Sequence, residues 1–131
     1  MDSVKEVMRL IKDSGISESQ YVLICNSARI NLLFELRSEY PTVEMMFVGR
    51  TDYDVFLDRC LEYNIGIDLS YQSVGSNGVE MDDETFEKYI EKFKNKGLTV
   101  NVWVVNKSTL VTKYLGMGVD YITTDTILPK K

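Results

Sequence analysis

Apolar residues recur along this chain with two alternating periods. Val4, Val7, Met8 and Ile11 fall at i, i+3, i+4 and i+7, which predicts an amphipathic helix over 3–13, stopped by Gly15. Tyr21 to Cys25 is then a continuous apolar run of strand length, bounded by Ser19-Gln20 and Asn26-Ser27. Such a run suits a parallel strand covered on both faces. Leu32, Leu33 and Leu36 mark a helix over about 29–39, ended at Tyr40-Pro41. Val43 to Val48 is the next strand. Thr51 with Asp54 resembles a capping box, opening a helix that carries Tyr53, Phe56, Leu57, Cys60 and Leu61.

The alternation continues. Ile65 to Leu69, extending as far as Tyr71, reads as a third strand, and Gln72 to Glu80 as a polar loop with Gly75 and Gly78. Asp82 or Asp83 can cap a helix whose buried face is Phe86, Tyr89, Ile90 and Phe93, ended by Gly97. Leu98 to Val105 is the fourth strand. Asn106 can cap a short helix through about Leu115, closed by Gly116 and Gly118, and Val119 to Ile122 is the fifth strand before a Pro129-Lys130-Lys131 tail.

Helices alternating with strands imply an α/β fold with a parallel sheet and right-handed crossovers. No linker or composition shift divides residues 1–131, so a single domain is expected. Two architectures fit five strands: part of a (βα)8 TIM barrel, or a five-stranded doubly wound sheet of flavodoxin type. Periodicity does not choose between them. A complete barrel takes about 250 residues, and the leading helix looks like one whose preceding strand is missing.

Composition narrows the function. Hydrophobic residues make up 44% of the 131 positions, enough for a core. The net charge of -5 argues against a nucleic-acid binder working through bulk charge. No apolar run approaches the ~20 residues of a membrane span. Met1 leads into Asp2-Ser3-Val4-Lys5 with no export signal. Cys25 and Cys60 stand far apart, without a Cys-x-x-Cys pattern, and read as buried thiols. These features fit a reduced, cytoplasmic setting, although a domain cut from an exported protein would look the same. The chain has no histidine at all, so no histidine acid–base step and no histidine metal ligand can come from it.

The last third is specific. Gly97-Leu98-Thr99-Val100-Asn101-Val102-Trp103-Val104-Val105-Asn106 is followed by Gly118-Val119-Asp120-Tyr121-Ile122-Thr123-Thr124-Asp125. This resembles the end of glycerophosphodiester phosphodiesterases, where a strand of the form G-hydrophobic-x-V-N-V-W-T-V-N precedes a short helix and then G-V-D-G-I-hydrophobic-T-D-x-P. Val22 to Ser27, Leu32, Leu36-Arg37 and Pro41 resemble an earlier part of that family more weakly. Val104 stands in place of Thr, Asn26-Ser27 in place of Ser-Phe, and Tyr121 in place of Gly.

The resemblance implies a (βα)8 barrel whose strands four to eight are the five read here. It places the family's chemistry elsewhere: a His-Arg-Gly, a Pro-Glu-Asn-Thr, an acidic pair, a second His and a further Glu, on strands one to three. Those histidines and carboxylates would supply acid–base groups and hold a divalent cation, Mg or Ca. None is in this sequence, so no catalytic residue, metal ligand or cofactor is assigned to this chain.

Substrate-binding candidates are residues at strand C-termini, where barrel sites form. Trp103 lines the pocket entrance by the resemblance, or else packs inside the barrel. Asn101 shares its strand face by period two and either bonds structurally or faces a ligand. Asn26 takes a top-face position. Arg50, after the second strand, could meet a phosphate bidentately or stay solvated. Asp125, after the last strand, faces a substrate or ties a loop. Asn106 reads as a helix cap. Glu87 and Glu91, among lysines, read as a solvated helix face, and Gly75-Ser76-Asn77-Gly78 lacks a Walker lysine and reads as a loop.

The expected function is the C-terminal segment of a glycerophosphodiester phosphodiesterase-like protein, inactive by itself. The parent reaction by the resemblance is metal-dependent hydrolysis of a glycerophosphodiester to glycerol 3-phosphate and an alcohol. The alternative is a non-catalytic interaction domain on the same scaffold. The expected partner is a second copy in a homodimer or the missing N-terminal barrel part, since open sheet edges invite pairing.

Overall fold

The computed structural model describes residues 2–49, 53–70 and 82–127, with the side chains of Ser27 and of 53–56 excepted. The expected Thr51 cap, the Gly75–Gly78 loop, Arg50 and the Pro129 tail lie outside the described residues.

Helix α1 (Ser3–Asp13) is capped by the Asp2 carboxylate, which accepts from the Val4 amide at 2.8 Å. Strand β1 (Val22–Asn26) follows, then a 3-10 turn and α2 (Ile30–Arg37). The remaining elements are β2 (Glu44–Gly49), α3 (Tyr53–Tyr63), β3 (Gly66–Ser70), α4 (Asp83–Asn95), β4 (Val100–Trp103), α5 (Ser108–Gly116) and β5 (Tyr121–Ile122). Asp82 caps α4, its carboxylate accepting from the Thr85 amide at 2.8 Å. Gly97 follows α4 at φ +75, and Gly118 follows α5 at φ +87, both in the left-handed region that glycine enters without a Cβ clash.

All four strand pairs are parallel, and the sheet order is β1-β2-β3-β4-β5. That order decides the architecture. A doubly wound sheet must reverse direction at a switch point to place helices on both faces. Here every strand lies beside its predecessor, and right-handed crossovers then carry all the helices to one side. The doubly wound alternative is thereby excluded, and the sheet is an arc with a helix-covered face and an open one.

The residues divide accordingly. Leu23, Cys25, Met45, Phe47, Ile67, Leu69, Val100 and Val102 alternate along their strands and pack with Met8, Leu33, Leu36, Phe86, Ile90, Phe93 and Tyr114 in one core. The intervening positions face the other way. Cys25 and Cys60 are free, buried thiols, as expected, and burial pushes the Cys60 thiol up to about 12. Across the helix layer, Glu87 of α4 pairs with Lys113 of α5 in a partly exposed ion pair, and Glu91 is exposed. Lys94 meets Asp120 at 2.7 Å, and the same carboxylate oxygen accepts from the Val100 amide at 2.9 Å, fixing the α4–β4 turn to the start of β5.

Candidate functional site

The open face is built by strand alternation. Register partners Asn26, Val48, Asp68, Asn101 and Tyr121 form one row across all five strands. Ser70 and Trp103 are partners in the next row toward the strand C-termini. Ile24, Val48, Asp68, Asn101, Trp103 and Thr123 line a shallow concavity of about 410 Å³.

A polar cluster lies at its centre. Asp68 and Asn101 are the buried polar side chains among the described residues, at 7% and 3% exposure. The Asn101 Nδ2 group donates to Asp68 Oδ1 at 2.5 Å and to Thr123 Oγ1 at 3.0 Å. Both of its N–H bonds are thereby committed. The Trp103 indole N–H makes a long contact, 3.4 Å, to the Asp68 carbonyl, which lays the ring beside that residue. Burial raises the Asp68 carboxyl to about 6, and the Asn101 hydrogen bond offsets only part of this.

Of the sequence candidates, Trp103 and Asn101 come together here. Trp103 is half-buried on the open face rather than in the helix-side core. Asn26 shares the row but is exposed at the end of the edge strand and does not line the concavity. Asp125 is exposed, and its main-chain amide donates to Asn106 Oδ1 at 3.0 Å. Thr124 Oγ1 bonds the same Asn106 oxygen at 3.0 Å. Asn106 is therefore not a helix cap: Lys107 occupies the N-cap of α5 with no side-chain bond, and Asn106 clamps the loop after β5. Arg50 lies outside the described residues.

Sequence reasoning missed Asp68 and Thr123. The signal for Asp68 was present, a charge between Ile67 and Leu69, placed by period two on the face opposite them. Among the described residues no group of three or more His, Cys, Asp or Glu is placed to hold a metal ion. A lone carboxylate with neutral neighbours does not fit a divalent cation, which wants several oxygen donors. Among the described residues, no helix is long and apolar enough to cross a membrane.

Comparison with known proteins agrees with this geometry. The model of the glycerophosphoryl diester phosphodiesterase family matches residues 2–128. No curated protein matches significantly. A solved structure, a glycerophosphodiester phosphodiesterase from Parabacteroides distasonis, superposes with a TM-score of 0.69 at 22% identity. The match covers 95% of this chain and 46% of that one, so this chain spans less than half of its length. At that identity the likeness speaks for the fold, an arc of the same kind of barrel.

Proposed function

The chain belongs to the glycerophosphoryl diester phosphodiesterase family, and from that premise we propose that it is the C-terminal, substrate-binding arc of such a barrel, inactive toward diesters by itself. The parent reaction is hydrolysis of a glycerophosphodiester to glycerol 3-phosphate and an alcohol, with a divalent cation, Mg or Ca, held by residues outside this chain. Diester cleavage needs charge neutralisation at phosphorus and a proton for the leaving alcohol. The observation that carries the reading is the open face itself. It presents a half-buried Trp103 beside the buried Asn101–Asp68 pair, while the sequence holds no histidine. Trp103 is assigned the substrate-contacting role and Asn101 the positioning of Asp68. Asn26 and Asp125 are kept as outlying substrate contacts, and Arg50, also a candidate, lies outside the described residues.

The open edges favour the missing barrel part over a second copy. An eight-stranded barrel lacks three strands beyond the five present. A homodimer would bring five more, two beyond closure. At the free edge of β1, Val22 and Ile24 are 39% and 41% exposed, and at the other end of the sheet Tyr121 is 45% exposed. Such edges call for pairing.

The deciding assay is hydrolysis of glycerophosphocholine and glycerophosphoethanolamine by the purified chain, with Mg²⁺ or Ca²⁺ and an EDTA control. No turnover is expected, and light scattering should show a monomer. Metal-dependent turnover that Trp103→Ala reduces, in a preparation free of host phosphodiesterase, would overturn the assignment.

A further inference from the structure

Helix α1 covers more ground than β1 fills. Met8, 1% exposed, roots the helix in the core, and Val4 packs beside it. Two ion pairs tie its first turns to the neighbouring elements, Asp2 to Arg29 at 2.6 Å and Lys5 to Glu35 of α2 at 3.0 Å. Yet Val7 and Leu10 of the same helix are each 53% exposed. Val4, Val7 and Ile11 of α1, with Tyr21, Val22 and Leu23 where β1 begins, line an apolar groove of about 320 Å³. Strand β1 stands first in the sheet, so alternate N–H and C=O groups along its five residues point outward beside that groove. At the other end of the sheet β5 is only two residues long.

An apolar wall beside a row of main-chain donors and acceptors suits strand addition, in which main-chain bonds give affinity and alternate side chains give specificity. A helix laid in the groove would satisfy none of the β1 groups. A second copy, related by a two-fold axis, would bring its own α1 to the same gap, and the two helices would compete for it. We propose that this groove is a preformed seat for an extended segment, apolar at alternate positions, that adds to β1 as a parallel strand and turns its apolar side chains beneath α1. This rests on the reading of the chain as one arc of a barrel. It goes further in one respect: α1 holds the seat open before the segment arrives, so the segment can come from a separate polypeptide. The same step already occurs inside the molecule, where β2 pairs parallel with β1 and turns Met45 and Phe47 into the core with Leu33 and Leu36 of α2.

The probe is a synthetic peptide of residues 42–49 of this chain, the β2 segment, with lysines added at both ends for solubility. A control peptide carries Met45→Asp and Phe47→Asp. Methyl NMR of the full chain reads Val7, Ile11, Val22 and Leu23. The β2 peptide should shift these methyls and slow hydrogen exchange at the outward amides of β1, and the control should need about tenfold more peptide or greater for the same effect. Val7→Glu, at an exposed position, should raise the half-saturating concentration of the β2 peptide by about tenfold or more. The two-peptide comparison on the unaltered chain carries the test even if that variant misfolds. Equal shifts from both peptides, no shift, shifts confined to residues outside the groove, or binding that Val7→Glu leaves unchanged would each overturn the seat. A dimer in light scattering that Val7→Glu dissolves would give the groove to a second copy and overturn the strand occupant. None of these outcomes bears on the turnover assay, which separately decides the phosphodiesterase reading.

Discussion

Arg37 should be one of the most costly side chains to remove outside the core. Its guanidinium donates to five main-chain carbonyls: Nε to Tyr63 at 2.8 Å, Nη2 to Asn64 at 2.9 Å, and Nη1 to Val43 at 2.7 Å and to Tyr40 and Pro41 at 3.2 Å each. One side chain thus fastens the loop leaving α2 to the turn leaving α3, where β2 and β3 begin. Its bonded partners are neutral, and burial outweighs the nearby Glu44 and Glu18, pushing its pKa below the usual guanidinium value. Arg37→Met keeps most of the aliphatic stem and deletes the donors. Three of the bonds are short, and at about 1 kcal/mol net each the loss is about 3 kcal/mol. With a urea slope of about 1.5–2 kcal/mol/M, the unfolding midpoint should fall by about 1.5–2 M. Arg37→Lys keeps the charge but has fewer donors in a different geometry, and should lose about half as much. Because the acceptors are uncharged, the difference should persist in about 0.5 M NaCl. A midpoint for Arg37→Met close to that of the parent chain, or a difference that salt erases, would refute the carbonyl-clamp reasoning.

Three further outcomes follow from the same packing. Gly66→Ala should cost about 2–3 kcal/mol by thermal melting, since the new Cβ collides with the Thr99 carbonyl and lies 3.0 Å from Met46 Cγ, between β2 and β4. Asp68 holds its proton more tightly folded than unfolded, so its contribution is complete below about pH 4 and is lost as the pH rises to about 6. Asp68→Asn should therefore gain stability relative to the parent chain between pH 4 and pH 7, by an amount of order 2 kcal/mol, and melting curves in parallel that never diverge would contradict this. Asn106→Ala removes the acceptor of Asp125 and Thr124, and should speed hydrogen exchange at the Asp125 amide by about fivefold or more, a loosening of about 1 kcal/mol.

Much of the fold was legible because its determinants are local. The four-residue spacing in α1, the Asp82 cap and the glycines at 97 and 118 each act within a turn of their own position. Strand order is a different kind of information. Nothing in Val43–Val48 says whether Tyr21–Cys25 lies beside it or across the sheet, so periodicity left arc and doubly wound sheet open, and before the pairing was seen only the resemblance of the last third to a barrel family favoured the arc. The site was half legible. Trp103 and Asn101 stood out because their motif resembled a family. Asp68 was absorbed into an apolar run although its alternation with Ile67 and Leu69 pointed it elsewhere. Asn106 carried a good capping signal, but a tertiary partner, the loop at Asp125, took its side chain first.

The order of the sheet also has a bearing on synthesis. Each strand pairs with the one made just before it, so no contact in the sheet waits for a distant segment. Chains with such short-range pairing avoid the large loop-closure cost that slows other parallel sheets. A ribosome releasing this polypeptide from its N-terminus would expose β1, then β2, in the sequence in which they join. Assembly can therefore proceed as a one-way zipper. Its last tooth, β5, is two residues long, and side-chain bonds of Asp120, Thr123 and Asn106 reinforce its short ladder. Losing the final few residues of β5 and its loop would leave Asn101 without Thr123 and would unfasten the polar cluster last completed in growth, while the first four strands keep their partners.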